Sequence, residues 1–420
     1  MKILVIDATH GGLILSEAFS KQGHEVTCID IYKTIHDKHF QKFTIEQNLP
    51  SDLSKYDLIV KPVHFPSHFF KNFEGKIITH HEAVKILVHN KIDFPIVEIT
   101  GSFGKTTAIK CAISLLRNFS ILTLTSDGII FMDKGHEKIL LKNISTTPAN
   151  IIRALELCPK KPDFAIFEVS LGGTGMADLG IIKNVYDNYP IAKGTSSAFI
   201  AKISMINNRK PNSTILLNAD DPLLRGFSNV QYFSTSSNSS EVWAEDIHIN
   251  LGHINFIVIF KGFMTRKGPT YSKIYVEANE KPIGRQHVEN ILVGISIAKF
   301  FEEIEEKVEI PPEVFDKKMI LEDYSGPLIL NKSPAINSKV LATSIKDFME
   351  ILPPIRLEIG GKLKTTCGFI EPLEIAQIIN SSQFKEVHLF DELGEVLRPL
   401  INKELKNSIE KVPTLRLERE

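Results

Sequence analysis

The sequence predicts an α/β protein built on parallel sheets and divided into several domains. Three observations carry that prediction. The chain opens with an apolar run, a turn, a helix-spaced run and a second apolar run: Lys2–Asp7, Thr9–Gly12, Leu13–Gln22 and Val26–Asp30. That alternation is the pattern of a βαβ unit. The stretch VEITGSFGKTTAIK, Val97–Lys110, joins a strand-like run to a helix-like one through two glycines and a lysine. Three further apolar runs end in polar residues: DFAIFEVS (Asp163–Ser170), LGIIKNV (Leu179–Val185) and STILLNADDP (Ser213–Pro222). Ligands of open α/β sheets gather at the carboxyl ends of such strands.

Residues 1–94 continue the alternation through YDLIVKP (Tyr56–Pro62) and GKIITHHEAV (Gly75–Val84), which predicts a first, Rossmann-like domain. The opening MKILVIDATHGG is read as its first strand and not as a signal peptide, because Asp7 and His10 interrupt the apolar run. The turn Thr9-His10-Gly11-Gly12 is a candidate substrate contact, since Gly-Gly there can admit an anion. No GxGxxG is present, so a dinucleotide site is not predicted. His80-His81 precede a helix-like run without a Cys or carboxylate at ligand spacing, and are read as hydrogen-bonding groups at a helix start.

Residues 95–310 are predicted to form a central domain. Within it, Ser234–Glu280 is Ser/Asn-rich and then alternates, which reads as an antiparallel insertion. Gly284–Phe301 returns to helical spacing, and the charged Glu302–Glu313, with Pro311-Pro312, reads as a linker. Residues 311–420 carry IRLEIGG and FKEVHLFDEL between helical runs and are expected to be a small α/β domain.

Composition narrows the classes. A chain of 420 residues allows two to four domains at roughly 100–200 residues each. A net charge of -1 gives no support to a nucleic-acid partner. The four cysteines, Cys28, Cys111, Cys158 and Cys367, show no CxxC pairing, which argues against a zinc cluster or disulfide framework and fits a reducing cytoplasm. No apolar run approaches the roughly 18–20 residues of a membrane span.

The turn Gly101-Ser102-Phe103-Gly104-Lys105-Thr106-Thr107 has the chemistry of a phosphate loop. Glycines let backbone N–H groups approach phosphate oxygens, and the following helix points its positive end at the anion. Lys105 reaches the terminal phosphates, and Thr106 or Thr107 offers an oxygen to Mg²⁺. The spacing is shorter than GxxxxGK[ST], with Ile99 where that pattern places its first glycine. Neither an NKxD guanine reader nor a DxxG after a strand accompanies it.

The accompanying stations resemble the Mur ligase family. EITGSFGKTT is similar to that family's TGTxGKTT loop. STTP (Ser145–Pro148) is similar to its Ser/Thr-rich segment before the substrate contacts, which makes Thr146 and Thr147 candidates. FEVS (Phe167–Ser170) resembles the strand whose glutamate, here Glu168, holds Mg²⁺. NVYDNYPIAKGTSSAFIAK (Asn184–Lys202) resembles the N-x-x-x-D-H stretch, with Asp187 as a metal ligand and Lys202 where many members carry a carbamylated lysine. NADDP (Asn218–Pro222) matches directly. GRQHVENILVGISIA (Gly284–Ala298) resembles the adenine-contacting helix, through Gln286, His287 and Asn290.

The resemblance implies a three-domain architecture and an ATP- and Mg²⁺-dependent ligase. Such an enzyme joins a carboxylate to an amine through an acyl phosphate, with Lys105, Glu168 and Lys202 as its catalytic residues. The substrates it implies are a small-molecule or nucleotide-linked peptide carboxylate and an amine, and a monomer is expected. Three departures stand out. Asn188 replaces the histidine metal ligand, Gln286-His287 replace His-Asn, and the last domain is short, with NKSPAIN (Asn331–Asn337) as its best match after the linker. These departures, with IDATHGG and SLGGTG, point to an archaeal branch. Pseudomurein peptide ligases are the favoured subfamily there, because joining two molecules is the family's commonest chemistry. The alternative is the ligase that closes a ring of the methanogen nickel-tetrapyrrole coenzyme. Outside the ligases, a P-loop ATPase or switch and a degenerate nucleotide-binding protein remain as alternatives.

Overall fold

A computed structural model describes the chain except residues 36–41, 186–187, 251, 280–283, 303, 316–318, 324–326, 333–337, 352–355, 366–367, 383, 403–413 and 420. It divides into two compact units. The first holds Met1–Gly101, Leu116–Leu217 and Gly226–Val230; the second holds Ser102–Leu115, Asn218–Arg225 and Gln231–Glu420.

The first unit begins with β1 (Lys2–Ile6), α1 (Leu13–Lys21), β2 (Glu25–Ile29), β3 (Thr44–Glu46), β4 (Leu58–Lys61), β5 (Lys76–Thr79) and α2 (His80–Val88). The strands form a parallel sheet in the order β3-β2-β1-β4-β5. Its central strand is apolar without alternation because both faces are covered. Ile3 and Val5 pack with Leu15, Phe19 and Val84 on one face. Leu4 and Ile6 pack with Ile59, Phe65 and Phe70 on the other.

The chain then runs β6 (Ile96–Thr100), α3 (Lys105–Leu115), β7 (Ser120–Thr125), β8 (Gly128–Asp133), β9 (His136–Lys142), α4 (Asn150–Leu157), β10 (Phe164–Glu168) and β11 (Leu179–Ile182). After these come the two-residue strands β12 (Pro190–Ile191) and β13 (Ser196–Ser197), α5 (Ala198–Asn207) and β14 (Thr214–Asn218). In the first unit β14, β11, β6, β10 and β7 are parallel neighbours. The hairpins β7–β8–β9 extend that sheet antiparallel, an extension the sequence reading did not anticipate. The core is continuous across this unit: Ile96, Leu124, Ile151 and Phe167 share one cluster with Phe19, Val84 and Leu87.

The second unit contains β15 (Gln231–Ser234), β16 (Val242–Asn250), β17 (His253–Thr265), β18 (Gly268–Asn279), α6 (Arg285–Phe301) and β19 (Lys307–Ile310). The expected antiparallel insertion is β16–β17–β18. The linker expectation needs correction. Lys307–Ile310 is a strand paired parallel with β18, its Val308 and Ile310 buried. Only Pro311-Pro312 breaks the pairing, and Pro312 opens a short 3-10 helix. Alternating Val and Ile made a strand out of what the flanking glutamates disguised as a linker.

The chain ends with β20 (Met319–Asp323), β21 (Pro327–Lys332), α7 (Ser338–Ile351), β22 (Arg356–Gly361), the hairpin β23 (Lys364–Thr365) and β24 (Gly368–Phe369), α8 (Pro372–Ser381), β25 (Glu386–Leu389), α9 (Asp391–Leu397) and β26 (Thr414–Arg419). The sheet order β20-β21-β26-β22-β25 encloses a separate core including Leu341, Leu357, Ile359, Val387 and Leu415.

Candidate functional site

The strand β6 ends at Thr100, and its five residues are all buried. Lys183 N–H donates to Thr100 O at 2.9 Å, which fixes the strand's end beside the residue after β11. A Cβ on Gly101 would come within 3.2 Å of Asn184 Oδ1 and Lys183 Cβ, so a side chain would be crowded where the chain leaves the sheet. Gly104 has a φ of +78°, and Ala108 N–H donates to its carbonyl at 3.1 Å as α3 begins. The sequence-predicted turn thus follows a buried strand and opens an eleven-residue helix, the context a phosphate loop requires. Ser102, Phe103, Lys105 and Thr106 are half-buried, and Thr107 is buried.

Glu168 is the last residue of β10 and is registered with Ile99. Val169 N–H donates to Ile99 O at 2.9 Å. This places a carboxylate only 5% exposed at the same sheet end, two residues short of Gly101 in register. Thr146 is tied to the same end: its carbonyl accepts from Ser170 N–H at 2.9 Å, and its Oγ1 lies 2.8 Å from Ser170 Oγ. Thr147 Oγ1 accepts from Asn150 Nδ2 at 3.2 Å.

The glycines of the first turn serve packing. A Cβ on Gly11 would stand 2.7 Å from Ala149 Cβ and 3.6 Å from Thr147 Oγ1, and one on Gly12 would stand 2.4 Å from Asp7 O. The missing side chains at Gly11 and Gly12 thus make room for Ala149 and for the backbone at Asp7. What the structure does bring together are the two segments named as substrate candidates, Thr9–Gly12 and Thr146–Thr147. Thr9 Oγ1 is 2.7 Å from Thr34 Oγ1.

Lys202 lies on α5 and is only 3% exposed. Asn188 Oδ1 accepts from Phe199 N–H at 3.0 Å, so the residue in the family's histidine position holds the start of that helix. Asp187 falls outside the described residues. In the second unit, Gln286 is half-buried, while His287 is buried and meets Phe315 edge-on at 5.1 Å. Asn290 is 5% exposed, and its Oδ1 has no partner among the described residues. Gly294 lies one helical turn later. A Cβ there would be 2.5 Å from Cys111 Cβ, so glycine permits α6 to lie against α3.

Other candidates resolve as structural ties. His80 Nε2 donates to Ile6 O and His81 Nε2 to Ser170 O, each at 2.9 Å, while Thr79 and Glu82 form the capping box of α2. Burial pushes both imidazoles down to about 4, so they are neutral. Asp221 caps the short helix Pro222–Leu224, and Asp220 accepts from Ser234 Oγ at 2.6 Å and Thr235 N–H at 2.6 Å, holding the NADDP turn to the strand beside it.

Two features were missed in the sequence. Glu98, inside β6, is fully buried and accepts from Thr174 N–H at 2.8 Å and from Thr174 Oγ1. Burial pushes its carboxyl up to about 6. The other is a cluster of Asp7, His10 and His64. Burial raises the Asp7 carboxyl, but hydrogen bonds from His64 and His10 outweigh it and hold the group below the ordinary carboxylate range. His64 is far away in sequence, so no local spacing could reveal the cluster.

Residues 99–298 match the Mur ligase middle domain. Coenzyme F(430) synthetase of Methanosarcina acetivorans is 37% identical over 235 residues, 52% of this chain and 50% of that protein. The matched stretch thus spans half of that relative's length. Coenzyme F(430) synthetase of Methanocaldococcus jannaschii is 26% identical over 95% of this chain and 92% of its own length. Among solved structures, the MurF ligase of Thermotoga maritima, in complex with ADP, superposes with a TM-score of 0.55 at 16% identity, covering 86% of this chain and 85% of that one. A pseudomurein peptide ligase type C of Methanothermus fervidus superposes with a TM-score of 0.51 at 15% identity, covering 100% and 97%. The fold is that of the Mur ligases. No helix among the described residues is long and apolar enough to cross a membrane.

Proposed function

We propose that this chain is an ATP-dependent ligase of the Mur type that activates a carboxylate as an acyl phosphate and passes it to a nucleophile within the same molecule, the reading that its likeness to coenzyme F(430) synthetases supports. The observation that carries the ring-closing form is the match along 95% of the chain to such a synthetase. The leaning towards pseudomurein peptide ligation is reversed on that ground, since the 15% identity to a peptide ligase speaks only to the fold. Peptide ligation remains the second reading. Domains bounded near residues 94 and 310 are part of the proposal.

The donor set fits the expected cofactors. Asn290 offers a buried, unpartnered oxygen, which suits the exocyclic amine of adenine. The turn Gly101–Thr107 offers backbone N–H groups and a helix start, which suit phosphates. Thr106 and Glu168 supply hard oxygens of the kind Mg²⁺ takes. The ion would neutralise phosphate charge as the γ-phosphoryl group moves.

The chain's own residues then have these roles. Lys105 holds the terminal phosphate and offsets the charge that develops on it. Glu168 keeps its carboxylate at the sheet end. Carbamylation of Lys202 would turn a buried cation into a carboxylate, giving that site a further anionic oxygen. The Ser/Thr segment at Thr146–Thr147, anchored to Ser170, orients the acid. Phosphate release with a tetrapyrrole acid as the sole organic substrate tests this reading. Turnover that instead demands a nucleotide-linked peptide and a separate amine would establish the second.

A further inference from the structure

We propose that Asp7, His10 and His64 bind a divalent transition-metal ion of the zinc or cobalt class, at a site separate from the Mg²⁺ and nucleotide residues. One ligand atom from each of the three residues lies within 4.8 Å of the other two. His10 Nδ1 is 2.8 Å and His64 Nε2 3.0 Å from Asp7 Oδ2. Two imidazoles with one carboxylate are the donor set of borderline metal ions, whereas Mg²⁺ and Ca²⁺ prefer oxygen alone.

The site is built rather than incidental. Asp7 is fully buried at the carboxyl end of β1, the edge of a parallel sheet where ligands collect. Its backbone sits in the left-handed region, φ 76° and ψ 76°, a conformation costing a non-glycine residue on the order of 1 kcal/mol or more. That conformation lets Asp7 Oδ1 accept from His10 N–H at 3.0 Å, so the carboxylate is oriented by the backbone and not only by the rings. The rings are themselves held: His10 meets Tyr32 edge-on at 5.1 Å and His64 edge-on at 5.5 Å.

The coordination sphere also has an open side. The side chains of His10 and His64 are 45% and 28% exposed, so water or a substrate oxygen can complete it. Three protein ligands and an open position are the arrangement of reactive metal sites, while structural sites are closed by four. The alternative occupant of this geometry is a pair of ring protons, with each imidazole donating to the same carboxylate oxygen. A dication replaces both.

The test uses the full chain, stripped with a chelator and dialysed against Zn²⁺ or Co²⁺ without nucleotide. Excess Mg²⁺ saturates the oxygen-only sites. The expected result is about one equivalent bound at micromolar concentration, with a Co²⁺ absorption spectrum of a nitrogen–oxygen site. His10→Asn and His64→Asn should each weaken binding at least about tenfold, while Glu168→Gln leaves it unchanged. Circular dichroism confirms that the variants fold; both histidines are partly exposed, so their loss should spare the core. No binding at micromolar metal, or binding indifferent to both histidine substitutions, overturns the proposal and leaves a hydrogen-bonded triad.

Discussion

His81 Nε2 donates to the carbonyl oxygen of Ser170 at 2.9 Å. The bond links α2, in the first parallel sheet's layer, to the residue two after Glu168. A carbonyl only accepts, so the bond fixes the proton on Nε2 and leaves Nδ1 as the lone-pair nitrogen.

That bond has a pH signature. His80 and His81 are held down to about 4 by burial, below their ordinary 6.5. A depressed folded value means that the unfolded chain binds the proton first. The stability is full above pH 6.5 and falls as pH drops towards 4, by on the order of 3 kcal/mol per group. Glu98 acts oppositely. Its carboxyl is raised from 4.5 to about 6, so its contribution is present below pH 4.5 and lost as pH rises through 6, about 2 kcal/mol. Denaturant unfolding of wild type and His81→Asn across pH 4 to 7 measures this. The variant should be less stable at pH 7 and show a flatter acid slope; parallel profiles would remove His81 from the account.

Gly11→Ala should destabilise the chain by about 1–3 kcal/mol. Its φ of +108° strains any side chain, and the added methyl would meet Ala149 Cβ at 2.7 Å. Gly23→Ala is the control, since it shares a positive φ of +83° but has nothing within 4 Å of its added Cβ. Equal losses at both positions would reduce the effect to backbone strain alone.

Lys105→Ala should lower ATP-dependent phosphate release on the order of 10³-fold, because the moving phosphoryl charge loses its cation. Stability should change little, since Lys105 is only half-buried at a helix start. Near-parental turnover in a folded variant would remove the phosphate-loop assignment.

Glu168→Gln keeps the side chain's size and removes its charge. The Mg²⁺ dependence of turnover should shift to higher concentration by at least about tenfold, with a smaller effect on nucleotide affinity measured by calorimetry. An unchanged Mg²⁺ titration would make Glu168 a structural carboxylate.

What the sequence by itself determined follows from local chemistry. Runs such as Ile3–Ile6 and Ile96–Thr100 needed no partner to be read as strands, because they are short, mainly apolar and rich in β-branched residues, even with Glu98 inside the second. Gly101 and Gly104 marked the strand-to-helix turn, since few other residues allow that backbone path. Tertiary structure decided what depends on distant neighbours. Gly11-Gly12 read as a turn in the sequence; that Ala149, remote in the chain, packs against Gly11 came from the fold. Lys307–Ile310 looked like a linker until β18 supplied its pairing. Asn188 stood in the sequence as a departure from the family pattern; that its side chain accepts from Phe199 N–H came from the fold. The cluster at Asp7 existed nowhere in the sequence pattern, because β4 had to lie beside β1 before His64 could reach Asp7. Spacing along a chain encodes turns and periodicity; contacts between segments 57 residues apart, as His64 is from Asp7, are set by sheet order.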